Sequence, residues 1–539
     1  MRTERVAAVS PVYVLGTLLL VQWLAVLAFS VTVRHNGWLF YSGGDQLWNY
    51  TGAYLLAHGS LPPAFVGYGW SILLLPLAPF AGPNLVSALP GLVLFNTLVL
   101  LPVALLCVYG IGARLAGRLF GYWAAAVWIA LPYFGILFVE PGYHQKYTEL
   151  TLPHVLGLTA MSDFPTMVGL LVSAYFCLRA LESGSWVTMG ASGLALGYAI
   201  AIKPSSAIFL FAPAVLLLAK RWQTALPFVL GVAPALLTLA LWKYRGLGQL
   251  GASGPEPIRI AGGIGDFVRR VHNPETNSWS HFVANLSALR EHFWVARVLE
   301  YVPIAGAIAL LARSRNAFLL IGTWFFAFLA IKGSYHEAQV DNASFFRILL
   351  PAFPAFVLLT ASIVLLVPRV RAKPAPRTLA LRGRRLTVAA TTAFTVFAVL
   401  PLAVVAAVPK LHDAGTRAVR VGQSEIPVDS TIGARATASG DAVQLDWQAQ
   451  PSSAADVFYR VFRSSAADGG LACANTPGDT SDDCRLGMDS RAAIKTTSFV
   501  DKPGSGTWTY RIGVSANWLN DLQLGDDYVV SPPVTVRVP

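Results

Sequence analysis

The chain has 539 residues, of which 55% are hydrophobic and only 13% charged, and its mean hydropathy is +0.55. Soluble domains carry about 25% charged residues, so this composition excludes a soluble globular protein and puts most of the length in lipid. The net charge of +12 does not point to nucleic acid. Arg369, Arg371, Lys373, Arg377, Arg382, Arg384 and Arg385 fall in one short connection between apolar runs, the mark of a cytoplasmic loop.

In chain order, Met1-Arg2-Thr3-Glu4-Arg5 precedes an apolar run from Val12 to Val33. That run is too long for a signal-peptide core of about 7–15 residues and reads as an uncleaved first helix with a cytoplasmic N-terminus. A loop over 34–70 follows, with Ser42-Gly43-Gly44-Asp45-Gln46 at its centre and Pro62-Pro63 as a break. The run Trp70 to Phe80 is short and interrupted by proline, either re-entrant or the start of the next span. Trp48, Tyr50, Tyr54 and Trp70 read as an interfacial aromatic belt.

Further spans are expected at Leu85–Ile111, Leu119–Phe138, from Pro165 to about Arg179, Val187–Ile202, Ile208–Ala219, Ala225–Trp242, Val302–Ala312, Phe318–Ile331, Ile348–Val367 and Thr387–Val408. At about 20 residues per crossing the total is about eleven. Alternation leaves the loops 34–70, 139–163, 244–294 and 333–346 outside, together with the C-terminus.

From Ser424 the period changes to two. Val443, Leu445 and Trp447 alternate with polar residues, as a half-buried strand does. Val457–Arg463, Thr496–Val500, Thr507–Ser515 and Val534–Val538 repeat the pattern between turn signals. The fold class is therefore a polytopic α-helical membrane protein with a C-terminal extracytoplasmic β-sandwich. Its parts are a membrane domain over 1–410, a linker over 411–423 and the sandwich over 424–539. Cys473 and Cys484 flank a polar loop there and suit a disulfide in an oxidising compartment. Cys107 and Cys177 lie inside apolar runs and read as packing residues.

The sandwich resembles a fibronectin type III domain through Val443-Gln444-Leu445-Asp446-Trp447, Tyr459-Arg460-Val461-Phe462-Arg463 and the stretch Gly506 to Asn517. Such modules bind, space or cap.

The outer loops and helix ends collect acids at Asp45, Glu140, Asp163, Glu337 and Asp341, and bases at Lys203, Lys332, His336 and Arg347. Ionisable groups at membrane helix ends are costly and tend to be functional. One chemistry that needs both signs is sugar transfer from a lipid phosphate: a carboxylate base for the acceptor hydroxyl and cations for the leaving phosphate.

Four stretches carry a family resemblance. They are Gly43-Gly44-Asp45-Gln46 with Tyr50, Ala53, Leu56, Gly59 and Pro62-Pro63; Met161-Ser162-Asp163-Phe164-Pro165; Gly193 to Ser205, ending in Lys203-Pro204-Ser205; and Phe346-Arg347-Ile348-Leu349-Leu350-Pro351-Ala352-Phe353-Pro354. In this order they resemble the GT-C superfamily of polytopic glycosyltransferases, including the protein mannosyltransferase and aminoarabinose transferase branches.

The resemblance implies a polyprenyl-phosphate-linked sugar as donor, a glycan, glycolipid or protein as acceptor, and a place in the plasma (inner) membrane. It makes Asp45 the base and Asp163 a second acid that orients the acceptor or holds a metal. Lys203, Arg347 and His336 would hold the lipid phosphate. Glu140, His144 and Glu337 are left to the acceptor or to a divalent metal, Mg2+ or Mn2+. Gln46 departs from the family pattern, in which a second acid often follows the first-loop aspartate, and argues against a metal at Asp45. Plainer readings make Asp45 and Asp163 helix N-caps and Lys203 a snorkelling side chain. His272 and His292 are the weakest candidates. The rival classes are a transporter or lipid-linked-glycan flippase, which calls for internal repeats that this chain lacks, and a non-catalytic envelope protein with a glycan-binding module.

Overall fold

The computed structural model describes residues 10–33, 40, 45–57, 59, 61–62, 64, 66–81, 85–220, 223, 225–247, 277–367, 384–409, 428–449, 458–464, 485–486, 496–515 and 528–539, less 63 and 65. Cys473, Cys484, His272 and most of the basic connection of 369–385 lie outside them. The chain divides into two compact units. One comprises Met1–Phe40, Phe65–Ile72 and Gly91–Ala407; the other comprises Tyr41–Ala64, Leu73–Pro90 and Val408–Pro539.

Among the described residues, eight helices are long and apolar enough to cross a membrane. They are α1 (Pro11–Thr32), α4 (Ala88–Ala116), α5 (Arg118–Phe138), α7 (Asp163–Ser183), α10 (Ala225–Gly246), α13 (Arg315–Gly333), α14 (Ser344–Leu366) and α15 (Val388–Ala407). Two shorter apolar helices stand among them, α8 (Trp186–Ile202) and α9 (Pro204–Leu218). Other helices off this set are α2 (Asp45–Ala57), α3 (Tyr68–Leu74), α6 (Pro141–Lys146), α11 (Trp279–His292) and α12 (Val302–Arg313). The protein is an integral membrane protein.

About eleven crossings are expected, and among the described residues eight helices are long and apolar enough to cross, with two shorter apolar ones beside them. The run Val302–Ala312 forms α12, which has 12 residues. At 1.5 Å per residue such a helix covers about 18 Å, short of a hydrocarbon core of about 30 Å. The polar stretch expected over 244–294 also holds a 14-residue helix, α11.

Helix packing in the first unit rests on small residues. A Cβ at Gly193 on α8 would land on the Phe228 carbonyl of α10, and one at Gly231 on the Gly190 carbonyl. Absence of side chains lets the two backbones touch, the way helices associate where lipid removes the hydrophobic drive between them. On the other side of α8, Ser192 and Ser173 of α7 exchange hydroxyl-to-carbonyl bonds of 2.8 and 2.9 Å.

The segment 66–70 threads against the same helices. Trp242 Nε1 donates to the Val66 carbonyl at 3.0 Å, and the Tyr198 hydroxyl donates to the Gly69 carbonyl at 2.9 Å. A glycine is required at 67 and at 69, because the Ala201 and Ile202 backbone fills the space a Cβ would take. Trp70 is fully buried here, and so is Tyr50 in the second unit. Trp70 does not belong to an interfacial belt, because its indole N–H donates to the Ala160 carbonyl inside the protein.

Helix ends sort by alternation. Arg114, Glu182 and Arg313 gather at one end of the bundle, where Arg114 pairs with Glu182 and Arg313 Nε donates to the Leu115 carbonyl at 3.3 Å. The start of α7, the end of α8, the end of α13 and the start of α14 meet at the other.

In the second unit, β1 (Arg435–Ser439), β2 (Ala442–Asp446) and β5 (Ser498–Asp501) form one antiparallel sheet in the order β1-β2-β5. A second antiparallel sheet has the order β4-β3-β6-β7 and adds β8 beside β6. Its strands are β3 (Phe458–Ser464), β4 (Arg485–Leu486), β6 (Gly506–Ser515), β7 (Tyr528–Val530) and β8 (Val534–Val538). Val443, Leu445 and Trp447 from one sheet and Tyr459, Val461, Tyr510, Ile512, Val514 and Val538 from the other share one apolar cluster. A buried polar knot closes its edge. Arg463 reaches both oxygens of Asp501 at 3.2 and 3.1 Å, and the Tyr510 hydroxyl donates to Asp501 Oδ2 at 2.8 Å.

Candidate functional site

The site is built on the loop that enters α7. Residues 156–162 connect two helices but are buried almost throughout, and a buried loop must find partners for its backbone groups. Asn96 on α4 supplies two: its Nδ2 donates to the Gly157 and Thr159 carbonyls at 2.9 and 3.2 Å. Trp70 Nε1 donates to the Ala160 carbonyl at 2.9 Å. His154 Nδ1 and the Thr159 hydroxyl lie 3.1 Å apart. Gly157 turns at φ +73°, a conformation that favours glycine. The loop is thereby strapped to α4 and the 66–70 segment, and its last turn delivers Asp163 to the end of the bundle.

Asp163 is the first residue of α7, and its N-cap is Ser162, which makes no side-chain cap bond. The capping reading of Asp163 is corrected: its carboxylate points to Lys203, at the end of α8, and forms an ion pair with it. The helix N-terminus itself favours a carboxylate at this position. Arg347 in the first turn of α14 and His154 act on the same carboxylate. Lys332, near the end of α13, lies within electrostatic reach of Lys203, Asp163 and Glu337, with its ammonium 4.8 Å from the Tyr335 ring centroid. Three cations therefore attend one wholly buried carboxylate, and Glu337 adds an exposed one.

Two polar atoms in this cluster are buried without a hydrogen-bond partner, Asp163 Oδ2 and Arg347 Nε, and the Thr166 and Thr151 hydroxyls share that condition. Buried polar atoms of this kind call for an explanation. A carboxylate oxygen and a guanidinium N–H left open in one electrostatic cluster suit a ligand that carries both a hydroxyl donor and an anionic acceptor.

The other residues singled out in the sequence are described in turn. Asp45 is the first residue of α2 in the second unit, half-buried, with Asn49 Nδ2 donating to its carbonyl at 2.6 Å. Gly43 and Gly44 lie outside the described residues. His336 is half exposed and stands 3.6 Å from Glu337. His144 is exposed. Glu140 joins a separate cluster with His292 and Asp341, in which His292 Nδ1 is 2.8 Å from Glu140 Oε1 and Nε2 is 3.1 Å from Asp341 Oδ1. His292, ranked weakest in the sequence, is thus the centre of a three-residue contact.

Among the described residues no group of three or more His, Cys, Asp and Glu side chains could hold a metal ion, and the Glu140–His292–Asp341 contact does not make one. One oxygen of Asp163 is held by the Lys203 ammonium, and the other has no hydrogen-bond partner.

No protein-family model and no curated protein matches the chain. Among solved structures it is similar to the crystal structure of the Archaeoglobus fulgidus oligosaccharyltransferase in the apo form, with a TM-score of 0.41 and 13% identity, over 76% of this chain and 58% of that one. It is also similar to the oligosaccharyltransferase AglB of Archaeoglobus fulgidus in complex with an inhibitory peptide and a dolichol-phosphate, with a TM-score of 0.38 and 14% identity, over 77% and 59% of the two chains. The chain thus spans under two thirds of the length of these archaeal enzymes.

Proposed function

We propose that this protein is a membrane glycosyltransferase of GT-C type. It takes a sugar from a polyprenyl phosphate and passes it to an envelope acceptor on the extracytoplasmic face. The observation that carries the reading is the open side of the Asp163 cluster. Lys203, Lys332 and Arg347 offer fixed positive charge at the membrane end of four helices, where the phosphate of a lipid-linked donor sits.

In the reaction, an acceptor hydroxyl gives its proton to the Asp45 carboxylate, the role that the Gly43-Gly44-Asp45-Gln46 resemblance assigns. The hydroxyl oxygen bonds to the anomeric carbon as the bond from that carbon to the phosphate oxygen breaks. The configuration inverts and polyprenyl phosphate leaves. Negative charge grows on the phosphate in that step, and fixed cations in a site shielded from water stabilise it. Lys203 and Arg347 take this part, and Asp163 holds Lys203 in place. The C-terminal sheets, with their fibronectin-like sequence pattern, present a glycan acceptor or a partner. The arginines at the opposite end of the bundle, Arg114, Arg118, Arg313 and Arg315, agree with a cytoplasmic end there.

The test is release of polyprenyl phosphate from lipid-linked sugars by the purified protein. Asp45→Asn should reduce turnover about 100-fold or more, the usual weight of a general base, and Lys203→Gln should weaken donor binding. Turnover by Asp45→Asn equal to wild type removes Asp45 from the reaction. A wild-type protein inert toward polyprenyl-phosphate-linked pentoses and hexoses alike removes the function.

A further inference from the structure

His292 is the last residue of α11, and both of its ring nitrogens meet a carboxylate, Glu140 on one side and Asp341 on the other. A neutral imidazole carries one donor and one acceptor, while a carboxylate only accepts. Neutral His292 can therefore satisfy one of the two partners and must set a lone pair against the other. The imidazolium satisfies both.

Three separate pieces of chain meet at this ring. The Tyr143 ring of α6 stacks on it, with centroids 4.4 Å apart and planes at 15°. The strand-like segment after α5 is joined to the segment after α11 by the bridge between Val139 and Phe293, by the Glu140 N–H to the His292 carbonyl at 2.9 Å, and by the Trp294 N–H to the Phe138 carbonyl at 3.2 Å. The loop 334–343 supplies Asp341.

That loop runs from α13 to α14, so its two ends carry Lys332 and Arg347. The Tyr143 hydroxyl donates to the Val340 carbonyl, and Lys146 Nζ donates to the Asp341 carbonyl at 2.8 Å. Asn285 of α11 donates to the Ala338 carbonyl at 2.6 Å and accepts from the Val340 N–H at 3.2 Å. These bonds to the loop backbone do not involve the His292 ring. The His292–Asp341 contact is between side chains and depends on the state of the ring.

We infer that His292 is a positioning residue: as an imidazolium it ties loop 334–343 to Glu140 and so sets Lys332 and Arg347 for an anionic lipid headgroup. The inference rests on the glycosyltransferase reading for its substrate and on geometry for the clamp. The charged and titratable groups facing His292 are Glu140 from the segment after α5, Tyr143 and Lys146 from α6, and Asp341 from the loop, with Glu291 beside it on α11.

Burial opposes charging of the ring, but the hydrogen bonds and charges of Glu140 and Asp341 outweigh it and hold the imidazolium above its ordinary range. A group raised in the folded state stabilises fully below its unfolded value of about 6.5 and loses that contribution as pH rises through the folded value. The clamp is therefore closed at pH 6 and opens on the alkaline side of 6.5.

The experiment uses the full chain in detergent and reads hydrogen–deuterium exchange across 334–343 for wild type and His292→Ala at pH 6 and pH 9. Comparison at equal pH cancels the intrinsic exchange rate. Wild type should be about tenfold better protected at pH 6, the weight of one charge-assisted bond, with the gap closed at pH 9. His292→Gln, which keeps polarity without the charge, serves if the alanine variant does not fold, and should show no pH-dependent gap of its own.

Affinity for decaprenyl phosphate is measured on the same samples. It should fall about tenfold in the variants at pH 6 and match wild type at pH 9. Equal protection of wild type and variants at pH 6 overturns the clamp whatever the lipid does. Protection that follows His292 while decaprenyl phosphate affinity does not overturns the positioning role. Protection that follows His292 with no decaprenyl phosphate binding by any of the proteins supports the clamp and overturns the donor assigned above.

Discussion

Asp163 and Lys203 lie forty residues apart and form one ion pair between the start of α7 and the end of α8. The two partners are not equal. The Asp163 side chain is 1% exposed, while that of Lys203 is 19% exposed, so the lysine keeps a route to solvent that the carboxylate lacks.

This inequality predicts an asymmetric response to mutation. Lys203→Met leaves a wholly buried carboxylate with Arg347 as its remaining strong partner and should cost about 3 kcal/mol, the lower range for breaking a buried pair. Asp163→Ala leaves a lysine that can turn toward water and should cost less. Asp163→Asn combined with Lys203→Met should recover much of the loss. Thermal unfolding in detergent measures all three, and equal losses for the two single variants contradict the assignment.

The strap on the buried loop makes a second prediction. Asn96→Ala removes the donor from two buried carbonyls, Gly157 and Thr159, and should cost about 1–3 kcal/mol. Because that loop carries Asp163, donor affinity should fall with stability. Trp70→Phe, which removes one donor and part of a buried ring, should show the same pattern. Donor affinity unchanged in both variants would separate the loop from the site.

Contact between α8 and α10 is tested at one glycine. Gly193→Leu places a side chain on the Phe228 backbone and must push two helices apart, so loss of at least about 3 kcal/mol is expected, the upper range for overpacking. Gly16→Leu is the control: a Cβ there meets nothing within 4 Å, and the helix is long and apolar. Its melting temperature should equal that of wild type.

In the second unit, Asp501→Ala strips partners from Arg463, the Tyr510 hydroxyl and the Lys502 N–H at once. The expected loss is about 3 kcal/mol, because the Arg463 guanidinium is left without its carboxylate in a largely buried place. Circular dichroism in the β region of the full chain should show the sheets melting earlier, while Lys502→Ala, whose side chain is 70% exposed, should leave them unchanged.

The sequence by itself determined the membrane character and most of the helices. Twenty apolar residues in a row have few other places to go, and a switch from unbroken apolar runs to a period of two announces strands. It also put Asp163, Lys203 and Arg347 at helix ends, because a charge interrupts an apolar run where the run leaves the hydrocarbon. Tertiary structure alone decided what those charges do. A lone aspartate ahead of Pro165 satisfies the rules for a cap as well as those for an ion pair, and only the end of α8 arriving beside it selects the pair. Trp70 looked interfacial because nothing local says that 66–70 will lie against the Ala201 and Ile202 backbone of a later helix. His292 is the furthest case: its partners stand 152 and 49 residues away. A residue whose role is set by two carboxylates from distant loops carries no local signal, since the chemistry lies in the convergence and the convergence belongs to the fold.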